Sequence, residues 1–286
     1  MRARGPALVG GLIACAVLGA CTLLVDAGGL SGGERDASST ASGDGALNDG
    51  AVAADGGGII EAGGDALAYR DEVMADKPVF YLRLEETSGT VAKDEVGASA
   101  TYEGPVQLGV PGPIAGSKAV TLGGASAINA GQRTPFSGKT PFSLEGWLRP
   151  DRYDSEFRAI VSSFQSVGKR NSYTLWVHAT QGIGFDRFID GDFRSATLQQ
   201  NMPAPTSWHH FVGVYDGASL LLYVDGEPRA TEPDGRNATA LASAPLWVGR
   251  AEIDSEPVLG SIDEVAIYDK ALTVERIKAH YLAATK

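Results

Sequence analysis

Between Asp76 and Lys286 the chain breaks ten times into short apolar or alternating runs, each set off by Gly, Pro or Asp. The runs are PVFYLRLEE, KAVTLGG, FSLEGWLRP, AIVSSF, SYTLWVHA, GIGFDRFI, SWHHFVGVYD, SLLLYVDG, PLWVGR and GSIDEVAIYD. Segments this short, closed by residues that favour turns, leave no room for long helices and read as antiparallel strands. A stretch of about 210 residues with this pattern is expected to form one all-β, two-sheet antiparallel jelly-roll sandwich. Only the tail, LTVERIKAHYLAAT, has helical spacing: Thr273 can cap its start, and Ile277 and Tyr281 fall four apart on one face.

The segment WHHFVGVYDGASLLLYVDGE, residues 208–227, tests the alternative of a histidine site. Strand alternation puts Trp208, His210, Val212 and Val214 on one face and His209, Phe211, Gly213 and Tyr215 on the other. Adjacent His on a strand point opposite ways, so they cannot chelate one metal together. Asp225-Gly226 is a hairpin-turn signal, since Gly accepts positive φ at no steric cost.

The N-terminal region reads differently. Residues 1–20 run from two Arg through an apolar stretch to small residues, the layout of a secretory signal peptide, and the apolar core is too short to span a bilayer. Leu18-Gly19-Ala20-Cys21 resembles a bacterial lipobox, in which Cys21 is lipidated and becomes the first mature residue. The expectation is an outer-membrane lipoprotein facing the periplasm or the cell surface, attached to the membrane by its lipid anchor. Residues 21–75 are rich in Gly, Ala, Ser and Asp without period, a composition that cannot bury enough apolar surface to offset chain entropy, and are expected to be a disordered tether. Ten Asp or Glu against two Arg lie in residues 22–75, so most of the net charge of −11 sits there. As a Gly-rich coil the tether has an r.m.s. span of roughly 40 Å. The negative balance excludes nucleic acid as an expected partner.

FSLEGWLRP, the 208–227 segment, PLWVGR and GSIDEVAIYDKALTVERIKAHY occur in an order and spacing that resemble the laminin G-like, concanavalin A-like jelly roll of secreted bacterial proteins. FYLRLEETSGTVAKDEVG is similar to that family's opening strand and loop. The resemblance implies residues 76–286 as one such domain, a carbohydrate or extracellular protein ligand, and a structural calcium ion. For calcium the candidate carboxylates are Asp94 and Asp263, from the regions where the family ties the chain's beginning to its last strand.

For a ligand surface, SYTLWVHA places Thr174, Trp176 and His178 on one face, and Trp offers a flat apolar plate with an N–H edge. GFDRFIDGDFR adds Asp186, Arg187, Asp190, Asp192 and Arg194 as polar groups able to orient a ligand. Read singly, Trp176 is better explained as a core aromatic and the charges as a solvated rim. The enzyme alternative rests on Glu252, Asp254 and Glu256, three acids on one strand face as in laminarinase-type hydrolases. Pro257 follows at once, so the string reads as a loop and no catalytic residue is assigned. Gly138-Lys139-Thr140 lacks the spacing of a phosphate loop, and Asn237-Ala238-Thr239 is a chance acceptor pattern. The expected function is a non-catalytic, surface-displayed binding module for a glycan or an extracellular or envelope protein. The alternatives are a glycoside hydrolase-like enzyme of the same fold and a purely structural envelope lipoprotein.

Overall fold

The computed structural model describes residues 66–133, 136–164, 172–189, 192–237, 244–251 and 257–286. Within them the chain runs α1 (Ala66–Ala75), β1 (Phe80–Leu82), β2 (Val91–Ala92), β3 (Ala100–Glu103), β4 (Gln107–Pro111), β5 (Lys118–Leu122), β6 (Ala127–Gln132) and β7 (Phe142–Pro150). It continues through β8 (Arg158–Ser163), β9 (Ser172–His178), β10 (Gly182–Ile189), β11 (Asp192–Leu198), β12 (His209–Tyr215) and β13 (Ser219–Val224). The last elements are β14 (Glu227–Pro233), β15 (Pro245–Val248), β16 (Gly260–Tyr268) and α2 (Val274–Thr285).

The strands form two eight-stranded antiparallel sheets. The first has the order β14-β13-β12-β7-β16-β5-β4, with β1 added on β16, and the second β11-β10-β9-β8-β15-β6-β3-β2. The expected all-β jelly-roll sandwich with a short C-terminal helix is therefore present. Its period-2 logic holds at residue level. Phe211 and Tyr215 of β12 and Leu220, Leu222 and Val224 of β13 enter the core between the sheets, where Tyr173, Leu175 and Val177 of β9 meet them. Val212 and Val214 take the other face of the first sheet.

The turns follow from local chemistry. Asp225 and Gly226 both have positive φ, 54° and 75°, the pair that a two-residue hairpin between β13 and β14 requires. Thr273 caps α2, its hydroxyl accepting from the Arg276 N–H.

One boundary moves. Residues 66–75, assigned from composition to the disordered tether, form α1. Composition missed it because only two of its residues, Tyr69 and Val73, are buried, and it is held by docking rather than by amphipathic patterning. Both buried residues pack with Ile277 and Ala284 of α2 against Trp147, Val212 and Tyr268 on the outer face of the first sheet. Arg276 of α2 locks the helices together through Asp76 at 2.6 Å and Glu72 at 2.7 Å. The signal segment 1–20, Cys21 and the tether up to residue 65 lie outside the described residues.

Candidate functional site

The two sheets differ in what covers their outer faces, and this decides where a ligand can sit. The first sheet is closed by α1 and α2 over a buried polar cluster centred on Glu145 of β7. The Glu145 Oε1 accepts from the Tyr69 hydroxyl at 3.0 Å and from His210 Nε2 at 2.8 Å, and Oε2 accepts from the Tyr268 hydroxyl at 2.7 Å. His280 Nδ1 lies 3.1 Å from both oxygens while its Nε2 lies 3.1 Å from Asp76. Burial pushes the Glu145 carboxyl up, but His280 and His210 outweigh it and hold the group well below the usual range. His280 responds in the opposite sense: burial disfavours its charge, yet Glu145 and then Asp76 raise its pKa above that of a free imidazole. The histidine pair is thus split across the faces as alternation requires. His209 bonds Asp225 at 2.9 Å, and His210 joins a cluster that no solvent reaches.

The second sheet carries an open cavity of about 440 Å³ on the outer face of β8–β11. This is the size range of small-ligand pockets. Alternation delivers its wall: Thr174 and Trp176 from β9, Asp186 and Phe188 from β10, and Phe193, Ser195 and Thr197 from β11. The floor depends on one glycine. Gly184 stands opposite Trp176 in the ladder, and a Cβ there would lie 2.3 Å from the indole Cζ2, so only glycine lets the ring lie across the strand. The indole is 5% exposed, which makes it a floor rather than the stacking platform expected from the sequence. The exposed rings are Phe157 (55%) and Phe193 (54%), with Phe157 set edge-on to Trp176 at 4.9 Å.

Asp186 gives the cavity its only described charge. It is 7% exposed, and the Ser195 hydroxyl donates to it while Ser195 also contacts the Thr197 hydroxyl at 2.6 Å. Burial raises its pKa to about 6 against the lowering effects of Ser195 and Trp176. The Trp176 N–H acts on this carboxylate electrostatically, without reaching ordinary hydrogen-bond geometry.

Of the expected ligand residues, Trp176 and Asp186 come together in the cavity. His178 does not line it. Its Nδ1 accepts from the Thr180 and Gln181 N–H groups, both at 3.1 Å, and its ring supports Phe157 at 4.5 Å. Arg187 is placed away from the cavity, because neighbours on a strand face opposite ways. Its guanidinium pairs with Asp234 at 3.1 Å and lies over the Tyr215 ring at 4.1 Å. Asp192 and Arg194 pair with each other at 3.0 Å, and Asp190 lies outside the described residues. The residues not foreseen include Phe157, Gly184, Phe188, Phe193, Ser195 and Thr197. The last three were legible, since Asp190-Gly191 followed by alternating Phe193, Ser195 and Thr197 is a hairpin signal; Phe157 carries none.

The two carboxylates expected to hold calcium, Asp94 and Asp263, have different surroundings. Asp94 Oδ1 accepts from the Tyr81 and Val96 N–H groups at 3.1 and 3.0 Å, and Oδ2 takes the Arg133 guanidinium at 2.6 Å. Arg133 also donates to the Ala98 and Ala130 carbonyls, so a guanidinium stands among the oxygens that an ion would need. Asp263 sits at a bulge in β16, where Glu264 has φ 50° and both carboxyls are turned inward. Burial, and then the adjacent Glu264, push the Asp263 carboxyl well above the usual range, and both of its oxygens are buried without a hydrogen-bond partner. Among the described residues no group of three or more His, Cys, Asp or Glu could hold an ion. The acids Glu252, Asp254 and Glu256 lie outside the described residues, immediately after Ala251, which lines the cavity.

Residues 122–278 match the concanavalin A-like lectin/glucanases superfamily. Calsyntenin-1 of Mus musculus is 30% identical over 96 residues, 32% of this chain; the match spans only 10% of that relative. Among solved structures, the fourth domain of AbnA, a GH43 extracellular arabinanase from Geobacillus stearothermophilus in complex with arabinotriose, superposes with a TM-score of 0.50. It is 17% identical, over 72% of this chain and 98% of that one. The binding domain of Paraclostridial Mosquitocidal Protein 1 gives 0.59 at 17% identity, over 73% and 52% of the two chains. The botulinum neurotoxin serotype D ligand binding domain in complex with N-acetylneuraminic acid gives 0.57 at 15% identity, over 75% and 52%. At these identities the likeness is one of fold.

Proposed function

The chain belongs to the concanavalin A-like lectin/glucanases superfamily, and on that premise we propose that it is a non-catalytic binding module whose ligand is a short glycan. The module is displayed from the membrane on lipidated Cys21 by the acidic tether. The observation that carries the reading is the cavity on the second sheet, with two half-exposed Phe rings at its mouth and a row of Asp186, Ser195 and Thr197 along its wall. Aromatic faces beside a few convergent polar groups suit sugar rings. Folds of this kind bind arabinotriose in the arabinanase domain and N-acetylneuraminic acid in the neurotoxin domain, which supports a sugar ligand here.

Glycoside hydrolysis needs two carboxyl groups flanking the bond, about 5 to 9.5 Å apart. Asp186 is the only carboxylate among the described lining residues. The hydrolase reading keeps one specific support, the position of Ala251 on the cavity wall directly before the acidic string at 252–256.

Calorimetric titration with neutral and amino oligosaccharides tests the proposal. Phe157→Ala and Phe193→Ala each remove a half-exposed ring, so the fold is expected to survive while affinity falls about tenfold, or roughly 1.4 kcal/mol. Unchanged affinity in both variants would move the site elsewhere. Release of reducing ends from the same oligosaccharides, abolished by Glu252→Gln or Glu256→Gln, would replace the binding module with an enzyme.

A further inference from the structure

Charge in the cavity is one-sided. Asp186 is almost fully buried, and neither Lys nor Arg is found among the described residues that line the space around it. The nearest basic side chain in sequence, Arg187, is turned to the other face and neutralised by Asp234. A buried carboxylate without a counter-charge is costly, and its cost is offset only if something else brings a positive charge. No internal cation does so: the Asp186 carboxylate has only neutral donors beside it, the Ser195 hydroxyl and the Trp176 N–H.

The remaining wall is aromatic. Phe157 meets Trp176 at 4.9 Å, Phe164 meets Phe188 at 5.1 Å, and Phe188 meets Phe193 at 5.7 Å. Five rings and one carboxylate line the same volume, and aromatic side chains around an anionic group attract an organic cation. An acidic sugar would meet repulsion from Asp186. A neutral sugar donates hydroxyls to the carboxylate but leaves its charge without a counter-charge.

We propose that the cavity selects a glycan carrying a free, protonated amino group, with the ammonium on the Asp186 carboxylate and the sugar ring against Phe157 and Phe193. The inference rests on the glycan reading above and adds the charge class of the ligand. The site places the ammonium N–H groups on the two carboxylate oxygens, and the Ser195 and Thr197 hydroxyls continue the polar row toward ring hydroxyls.

The test titrates the full chain with four probes: the glucosamine tetramer, the N-acetylglucosamine tetramer, arabinotriose and choline. The glucosamine tetramer is expected to bind at least tenfold more tightly than its N-acetylated form and than arabinotriose. Asp186→Asn, which keeps shape and a Ser195 acceptor, is expected to erase that preference. Tighter binding of the N-acetylated tetramer or arabinotriose, or a preference that survives in Asp186→Asn, overturns the inference and leaves the glycan-binding module standing. Choline binding as tightly as the glucosamine tetramer supports the ammonium site and overturns the sugar. No binding of any probe overturns both readings. Because Asp186→Asn removes a buried charge without changing volume, loss of folding is not expected; circular dichroism of the variant verifies this before titration.

Discussion

Glu145→Ala is expected to lower the stability of the domain by about 3–5 kcal/mol, the usual result of breaking a buried ion pair from one side. For a domain of this size that corresponds to a fall of roughly 10 °C in the unfolding midpoint. The loss comes from stranded partners. The carboxylate accepts from Tyr69, His210 and Tyr268, and both its oxygens lie 3.1 Å from His280 Nδ1, whose ring holds Asp76 through Nε2. Without it, His280 keeps only Asp76, two tyrosine hydroxyls lose their acceptor, and α1 loses the bond that fixes Tyr69 over Trp147. Calorimetric unfolding checks this, and a loss below about 1 kcal/mol would show that helix docking does not depend on the cluster.

The same cluster sets a pH window. Glu145 has a folded pKa below its unfolded value, so its contribution is present above the ordinary carboxylate range and disappears as pH falls through the depressed value. His280 has a folded pKa above its unfolded value, so its contribution is complete below about 6.5 and disappears as pH rises through the raised value. Helix docking is therefore strongest between the two.

Asp186→Asn is expected to act in the opposite direction and raise stability at neutral pH. Burial shifts Asp186 from 3.8 to about 6, and a shift of about two units corresponds to roughly 3 kcal/mol between the two protonation states. The sign follows from proton binding. The folded protein holds this proton more tightly than the unfolded chain, so wild-type stability declines as pH rises from about 4 to 6 and is level above that. Asn carries no charge at any pH. The advantage of the variant should be near zero at pH 4, grow to about 2–3 kcal/mol by pH 7 and stay there. Unfolding midpoints measured across that range check it; an Asn variant no more stable than wild type at pH 7.5 would mean that the carboxylate is already compensated from within. A residue that costs stability and lines a cavity is where a ligand-directed role belongs.

The sandwich was legible because a period of two is written residue by residue. Phe211, Val212 and Val214 went to their faces as read, Asp225-Gly226 made its hairpin, and Thr273 capped its helix. The second half of the site was less legible. Trp176 and Asp186 were picked out by type, but Arg187 was carried along with Asp186 although strand geometry separates neighbours. Gly184 and Phe157 owe their roles to what stands opposite them across the sheet or at its edge, which spacing along the chain does not encode. Tyr69 was hidden in a polar, Gly-rich stretch, because α1 exists through its contacts with the sheet and α2. The Arg133 partner of Asp94 was not legible, since it lies 39 positions away and only the fold brings the two together.

The central claim is that ligand enters the cavity over Trp176, and the indole N–H resonances report on it directly. Four tryptophans give four such signals, and Trp176→Phe identifies the one at issue. On titration with the glucosamine tetramer the Trp176 signal is expected to shift in proportion to occupancy while those of Trp147 and Trp208, on the first sheet, stay fixed. Binding that moves Trp147 or Trp208 and leaves Trp176 unmoved would contradict the account.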